Sequence, residues 1–290
     1  MPTIKEFNTK LKSFKNTQKI TKTMKMVAAS KLRKAHQAQA NAKLYAQQLT
    51  AMTSRISASV PAASHPLLIS RGKINNVIIL IITSDKGLCG AFNHNANRMV
   101  AGWIHKNRSR HERIELWCCG EKGAMYFERH DMVKAHYENV TTTPRFADAL
   151  KIGMHLTQAF QENRCDAVYL SYNQFLNPLV QKTVFEQILP VDPDLLIEKK
   201  ASPPRADYIF EPEAEKVLNF LIPHFLYFKI YFALLENSAG EHGARMTAMD
   251  NATKNAFELI DRYTLSRNRA RQAAITTELT EIISGAEALR

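Results

Sequence analysis

Residues 19–37, KITKTMKMVAASKLRKAHQ, have helical texture and carry Lys19, Lys22, Lys25, Lys31, Arg33 and Lys34 without one carboxylate. The imbalance runs wider, because no Asp or Glu stands between Glu6 and Asp85. Acid–base pairs at i,i+4 spacing stabilise a helix by roughly 0.2–0.5 kcal/mol each. This helix forgoes such pairs and keeps like charges adjacent. Whether the positive stripe faces solvent or an acidic partner decides how the chain is read.

Working outward, residues 3–60 contain neither glycine nor proline, which allows an unbroken helix of roughly 85 Å at 1.5 Å per residue. Its second half is read with a 3,4-spaced seam through Ala35, Ala38, Ala42, Tyr45, Leu49, Met52 and Ile56. Pro61, His65-Pro66 and Arg71-Gly72 end the element. The other end of the chain mirrors it, with no proline after Pro223. A stripe runs through Phe225, Phe228, Phe232, Leu235, Ala239, His242, Met246, Met249, Thr253, Ala256, Ile260 and Tyr263. A second register follows through Leu265, Asn268, Gln272, Ile275, Leu279, Ile282, Ala286 and Leu289. Such a register change rotates the apolar stripe. Gly240 and Gly243 are read as soft points in this helix, at about 1 kcal/mol each. Helices this long need packing partners, and the two ends supply one for each other. The expectation is an antiparallel coiled coil whose longer C-terminal member ends in a lone tip.

Between them, INNVIILII (74–82) is a near-continuous β-branched run, the texture of a buried parallel strand. RIELWCC (113–119) and DAVYLSYNQF (166–175) repeat it, and LVQKTVFEQIL (179–189) alternates like an edge strand. Residues 95–106, 120–129 and 145–162 have helical periodicity. The pattern predicts an open, Rossmann-like α/β sheet. Pro190, Pro193, Pro203, Pro204 and Pro212 mark a linker back to the C-terminal helix. The expected division is a shaft helix over 1–60, an α/β domain over 74–210 and a second shaft helix over 211–290.

Net charge is +12, of which +11 sits in residues 1–60; the rest is nearly neutral. A basic rod on a neutral body calls for an acidic partner. The four cysteines form no metal spacing, and Cys118 and Cys119, adjacent in a strand, point to opposite faces. They read as small core residues of a reduced protein. Met1–Lys10 has no apolar signal core, and the strongly apolar run Val77–Ile82 is too short to span a bilayer.

TSDKGLCGAFN (83–93), straight after the first strand, is where a phosphate would sit in an α/β sheet. The dinucleotide fingerprint needs a third glycine beyond Gly87 and Gly90, and the P-loop Lys-Ser/Thr pair is missing. The stretch reads instead as a tight turn seating the sheet against a shaft helix. Asp85 has no second carboxylate nearby and Cys89 no base, so neither nucleotide, metal nor catalytic constellation is expected. The basic rod keeps three readings. Nucleic acid fits the lysine count, but residues 15–44 hold no Phe, Tyr or Trp to stack on bases. A membrane surface fits poorly, because the Ala- and Gln-rich stretch 35–48 lacks bulky apolar residues. Acidic protein loops are the third.

NTQKITKTMKMVAASKLRKA (16–35), SDKGLCGAFN (84–93) and LSRNRARQAAITTELTEIISGAEAL (265–289) closely resemble the γ subunits of F-type ATP synthases, and residues 210–256 are similar to the segment before the last of these. The resemblance spans the chain in order. It implies a non-catalytic central rotor shaft that couples ion flow to ATP synthesis or hydrolysis, without a cofactor of its own. Implied partners are a 3:3 ring of α and β subunits around one copy, the ε subunit and the membrane c-ring. The β-subunit acidic loops would meet Lys19, Lys22, Met24 and Lys25. Arg245, Gln272 and Thr276 would grip ring loops, and Ile282, Ala286 and Leu289 would sit in an apolar bearing. The sheet domain would form the foot on the rotor ring. The implied place is the cytoplasmic face of a bacterial inner membrane. Ala91 and Phe92 depart from the family's glycine-aliphatic continuation, and HFLYFKIYF (224–232) is unusually aromatic.

Overall fold

A computed structural model describes residues 3–59, 65–191 and 213–288. They form helix α1 (Ile4–Ser59), strand β1 (Asn76–Ile82), helix α2 (Phe92–Asn107), strand β2 (Arg113–Cys119), helix α3 (Glu121–Phe127) and strand β3 (Val133–Tyr137). Helix α4 (Phe146–Gln161), strands β4 (Ala167–Phe175) and β5 (Gln181–Leu189) and the long helix α5 (Ala214–Ala288) complete the order. The chain divides into two compact units. One joins the N-terminal segment through Ala28 to the C-terminal segment from Met246; the other is Ala29–Arg245.

In the first unit α1 and α5 run antiparallel. Lys25 meets Asp250, Thr21 meets Thr253, and Phe14 and Phe7 both meet Tyr263, so one number falls as the other rises. The α5 stripe through Met246, Met249, Thr253, Ala256, Ile260 and Tyr263 is buried or half-buried, as its spacing predicts. Beyond it the second register faces outward, with Leu265 61%, Ile275 49%, Leu279 55% and Ile282 67% exposed.

In the second unit the sheet order is β3-β2-β1-β4-β5. β1 pairs parallel with β2 and β4, β2 pairs parallel with β3, and β5 closes the edge antiparallel to β4. The alternation of β1 decides both cores. Ile78, Leu80 and Ile82 face α4 and α5, in one cluster with Ile152, Leu156, Phe160, Leu221, Ile222 and Leu226. Val77, Ile79 and Ile81 face α2, packing with Val100 and Ile104. Cys118 joins the second cluster and Cys119 the first, on opposite faces as expected.

Three expectations need correction. The seam of α1 passes through Ala35, Gln39, Ala42, Ala46, Leu49 and Thr53, while Ala38, Tyr45 and Met52 are exposed. It continues an unbroken 3,4 series from Ile4, Phe7, Leu11 and Phe14, so the bulky N-terminal residues set the register and the Ala-rich half follows it. Helix α5, in keeping with the helix expected from 211, begins before Pro223 and runs through it. An interior proline costs about 3 kcal/mol, which the burial of Leu218, Leu221, Ile222 and Leu226 around it offsets. Strand β3 is an addition to the expected sheet; its short polar sequence, VKAHY, carries little strand signal. Gly240 and Gly243 are points of close approach. A Cβ on Gly240 would stand 3.0 Å from Phe92 Cε2, and one on Gly243 3.1 Å from Pro178 Cα. Residues 192–212, with most of the prolines read as a linker, and the side chain of Ile56 lie outside the described residues.

One stretch of α5 is apolar enough to cross a membrane by composition, with a mean hydropathy of 1.5 over 18 residues. The sheet core uses that apolarity: Leu218, Ile222, Leu226, Ile230 and Leu234 are fully buried.

Candidate functional site

The lysine face forms because α1 gives its 3,4 seam to α5 and turns the remaining residues outward. Lys19 and Lys22 are exposed and form no ion pair among the described residues. Met24 and Lys25 are half-buried at the edge of the seam. Lys25 Nζ donates to Asp250 Oδ1 at 2.6 Å, and Lys254 Nζ lies 3.2 Å from Asp250 Oδ2. Hydrogen bonds from Lys25 and Lys254 hold the Asp250 carboxyl below its ordinary value. The acid missing from α1 is therefore supplied across the pair by α5, for Lys25 but not for Lys19 or Lys22. Beside these two cations, Ile20, Met26 and Val27 are 60%, 59% and 51% exposed. Sequence reasoning passed over these three apolar residues; their sign was that they fall off the seam series.

The same unit carries the C-terminal candidates. Gln272 and Thr276 are exposed, and the Thr276 hydroxyl donates to the Gln272 carbonyl at 3.0 Å, an ordinary turn of helix. Ile282 and Ala286 are exposed, whereas Leu289 lies outside the described residues.

Arg245 belongs to the second unit, at its end on α5. Its side chain is 12% exposed and enclosed by partners. Nη1 lies 2.6 Å from Glu241 Oε1. Nη2 donates to the carbonyls of Lys86 and Gly87 at 3.0 Å each, and Nε to Gly87 at 3.3 Å. Burial raises the Glu241 carboxyl and the Arg245 charge opposes that rise. Burial first, then the charges of Arg245 and Lys31, push His242 down to about 4, so this imidazole is neutral at physiological pH. Asn237 Nδ2 donates to the Thr83 carbonyl at 3.1 Å. The turn after β1 is thus clamped onto α5 by one amide and one guanidinium, the seat that its sequence predicts.

The polar groups of the turn are engaged inward. Asp85 Oδ2 accepts from the Thr141 and Thr142 hydroxyls at 2.9 Å each. Asn93 Oδ1 accepts from the Ser84 amide at 2.9 Å, and its Nδ2 contacts Cys89 Sγ at 3.3 Å. Leu88 is held at a φ of 63° and is 63% exposed. All four cysteines are free and buried. Burial raises each thiol, Cys118 and Cys165 to about 12, which leaves them unreactive at neutral pH.

Two terminal helices paired antiparallel, with an open α/β sheet between them in the chain, define a stalk protein that carries a sheet domain. Known proteins with this arrangement make the class specific. The ATP synthase family matches residues 3–289, so that the chain belongs to that family, among its gamma chains. It is 41% identical over 290 residues to the ATP synthase gamma chain of Pelotomaculum thermopropionicum, covering all of both chains. It is 39% identical over 295 residues to that of Chlorobaculum parvum, again covering all of both. Among solved structures, a chain of the central stalk and c-ring of Tetrahymena thermophila mitochondrial ATP synthase matches with a TM-score of 0.61 and 29% identity, over 80% of this chain and 99% of that one. A chain of Euglena gracilis mitochondrial ATP synthase has the same fold, with a TM-score of 0.69 at 19% identity over 99% and 94% of the two chains. Membership gives the terminal helices the role of a rotor shaft, and nothing in these matches favours the nucleic-acid reading.

Proposed function

We propose that this shaft works without a catalytic site of its own, by offering a different contact to each of three β subunits as it turns within a 3:3 ring of α and β. The observation that carries the reading is the lysine face. Lys19 and Lys22 keep their charge free while Lys25 pairs with Asp250. Free cations beside exposed Ile20, Met26 and Val27 suit a surface that touches acidic loops in turn without locking onto one. Shaft orientation then shifts the relative free energies of open and closed catalytic sites, as a ligand shifts a two-state equilibrium.

Gln272 and Thr276 are proposed to grip ring loops, and Ile282, Ala286 and Leu289 to form an apolar bearing. Arg245 is proposed to share the grip, by exchanging some of the bonds it makes to Lys86, Gly87 and Glu241. The sheet domain is the proposed foot, on the ε subunit and the membrane c-ring, with the complex on the cytoplasmic face of a bacterial inner membrane. The division into a shaft helix over 1–60, a foot over 74–210 and a second shaft helix over 211–290 belongs to the same proposal.

The test is Lys19→Glu with Lys22→Glu in the assembled complex, which leaves the Lys25–Asp250 pair intact. ATP-driven ion pumping should fall severalfold while the complex still assembles. Pumping at the unmodified rate would refute the reading.

A further inference from the structure

The aromatic stretch 224–232 is not used by the shaft reading, and it lines a cavity of about 500 Å³ in the second unit. Phe225, Phe228 and Phe232 of α5 form one wall, Phe175 at the end of β4 another, and Ala46 and Leu49 of α1 a third. This volume falls in the range of small-molecule sites. Glu236, one turn beyond the phenylalanines, also lines it. Its residue is 4% exposed, Oε1 accepts from Gln39 Nε2 at 3.2 Å, and Oε2 is buried without a hydrogen-bond partner. A carboxylate oxygen shielded from water and left unpaired is costly, and a donor arriving with an apolar body would relieve it.

We propose that this cavity binds a small organic cation, a primary ammonium on an aromatic or branched apolar body, with the ammonium paired to the Glu236 carboxylate and the body packed among the phenylalanines. The ring faces add a favourable field for the cation. Two lysines line the cavity and set the competition. Lys229 is committed to Glu186 of β5 at 3.0 Å, whereas Lys43 of α1 is exposed and acts on Glu236 through its charge alone. The groups facing Glu236 are Gln39 and Lys43 from α1, Glu186 from β5 and Tyr172 from β4. Burial, outweighing Gln39 and Lys43, places the Glu236 carboxyl at about 7. The cation binds its ionised form, so binding is coupled to loss of that proton.

The probe is 2-phenylethylammonium, titrated into the purified full-length chain by calorimetry and ligand-observed NMR. Saturable binding should tighten about tenfold between pH 6 and pH 8, following ionisation of Glu236. Glu236→Gln, checked for an unchanged fold by circular dichroism, should weaken binding and remove the pH dependence. At pH 8 and above, where Glu236 is ionised in parent and variant alike, Lys43→Met should tighten it by removing a like charge, and the anion 3-phenylpropionate should not compete. Absence of saturable binding would overturn the proposal. Equal binding by Glu236→Gln, or weaker binding by Lys43→Met at a pH where Glu236 is ionised in both chains, would also overturn it.

Discussion

Lys25 Nζ and Asp250 Oδ1 stand 2.6 Å apart, joining a helix segment that has no acid of its own to the helix that lies antiparallel to it. One cation of the lysine face is thereby turned to holding the pair together, and its neighbours on α1 are left for a partner. The two roles predict different phenotypes for variants a few residues apart.

Lys25→Glu should lower the thermal midpoint of the isolated chain, because it sets two carboxylates against each other. Lys19→Glu and Lys22→Glu should leave stability within about 0.5 kcal/mol of the parent. The Asp250 carboxyl is depressed in the folded chain. Its stabilising contribution is present above the ordinary Asp value of 3.8 and is lost as pH falls below it. Acid titration of the melting midpoint, with and without Asp250→Asn, checks the sign.

Glu236 predicts the opposite slope. Its folded value is raised to about 7 from 4.5 by burial, so the folded state holds a proton that the unfolded chain has released. Stability should therefore fall as pH rises from 4.5 through 7, by roughly 3 kcal/mol if burial is the whole cause. Glu236→Gln keeps the partner of Gln39 and should flatten this dependence, leaving the variant more stable than the parent at pH 8. Denaturant melts at pH 5 and pH 8 read both effects.

Arg245→Met should destabilise the second unit by about 3–5 kcal/mol, since Glu241 is then a buried charge with its partner removed. Arg245→Lys should recover only part of the loss, because an ammonium lacks the fork that reaches the Lys86 and Gly87 carbonyls together with Glu241. The double variant Arg245→Met with Glu241→Met should recover more than the lysine does. Denaturant melts of the three variants provide the comparison.

Gly243→Val should cost about 1–3 kcal/mol despite a better helix propensity. Its first added atom would already stand 3.1 Å from Pro178 Cα and 3.3 Å from Phe175 Cε2. Gly285→Val is the control, having nothing within 4 Å of its Cβ position. Hydrogen exchange should show the β4–β5 hairpin loosened in the first variant alone.

How far the fold could be read depended on how strongly each segment constrained itself. Residues 74–82 announced a buried strand because only a strand covered on both faces needs six consecutive apolar residues. The edge position of β5 followed from its alternation. The seam of α1 was misread where Ala and Gln dominate, since neither residue marks an apolar face strongly and the register is fixed far away by Ile4, Phe7, Leu11 and Phe14. Strand β3 escaped because it is short, polar and ordered by its neighbour β2. Of the candidate site, the free charge at Lys19 and Lys22 was legible from composition. The pairing of Lys25 with Asp250 and the enclosure of Arg245 were not, because both depend on which turns and loops, distant in sequence, come together.

The central claim is that this chain is the single shaft of a rotary complex. Native mass spectrometry of the assembly that a tagged chain draws from detergent-solubilised membranes tests it most directly. One copy of this chain with three copies each of two larger nucleotide-binding subunits is the predicted composition. A homodimer, or a chain isolated without such a ring, would contradict it.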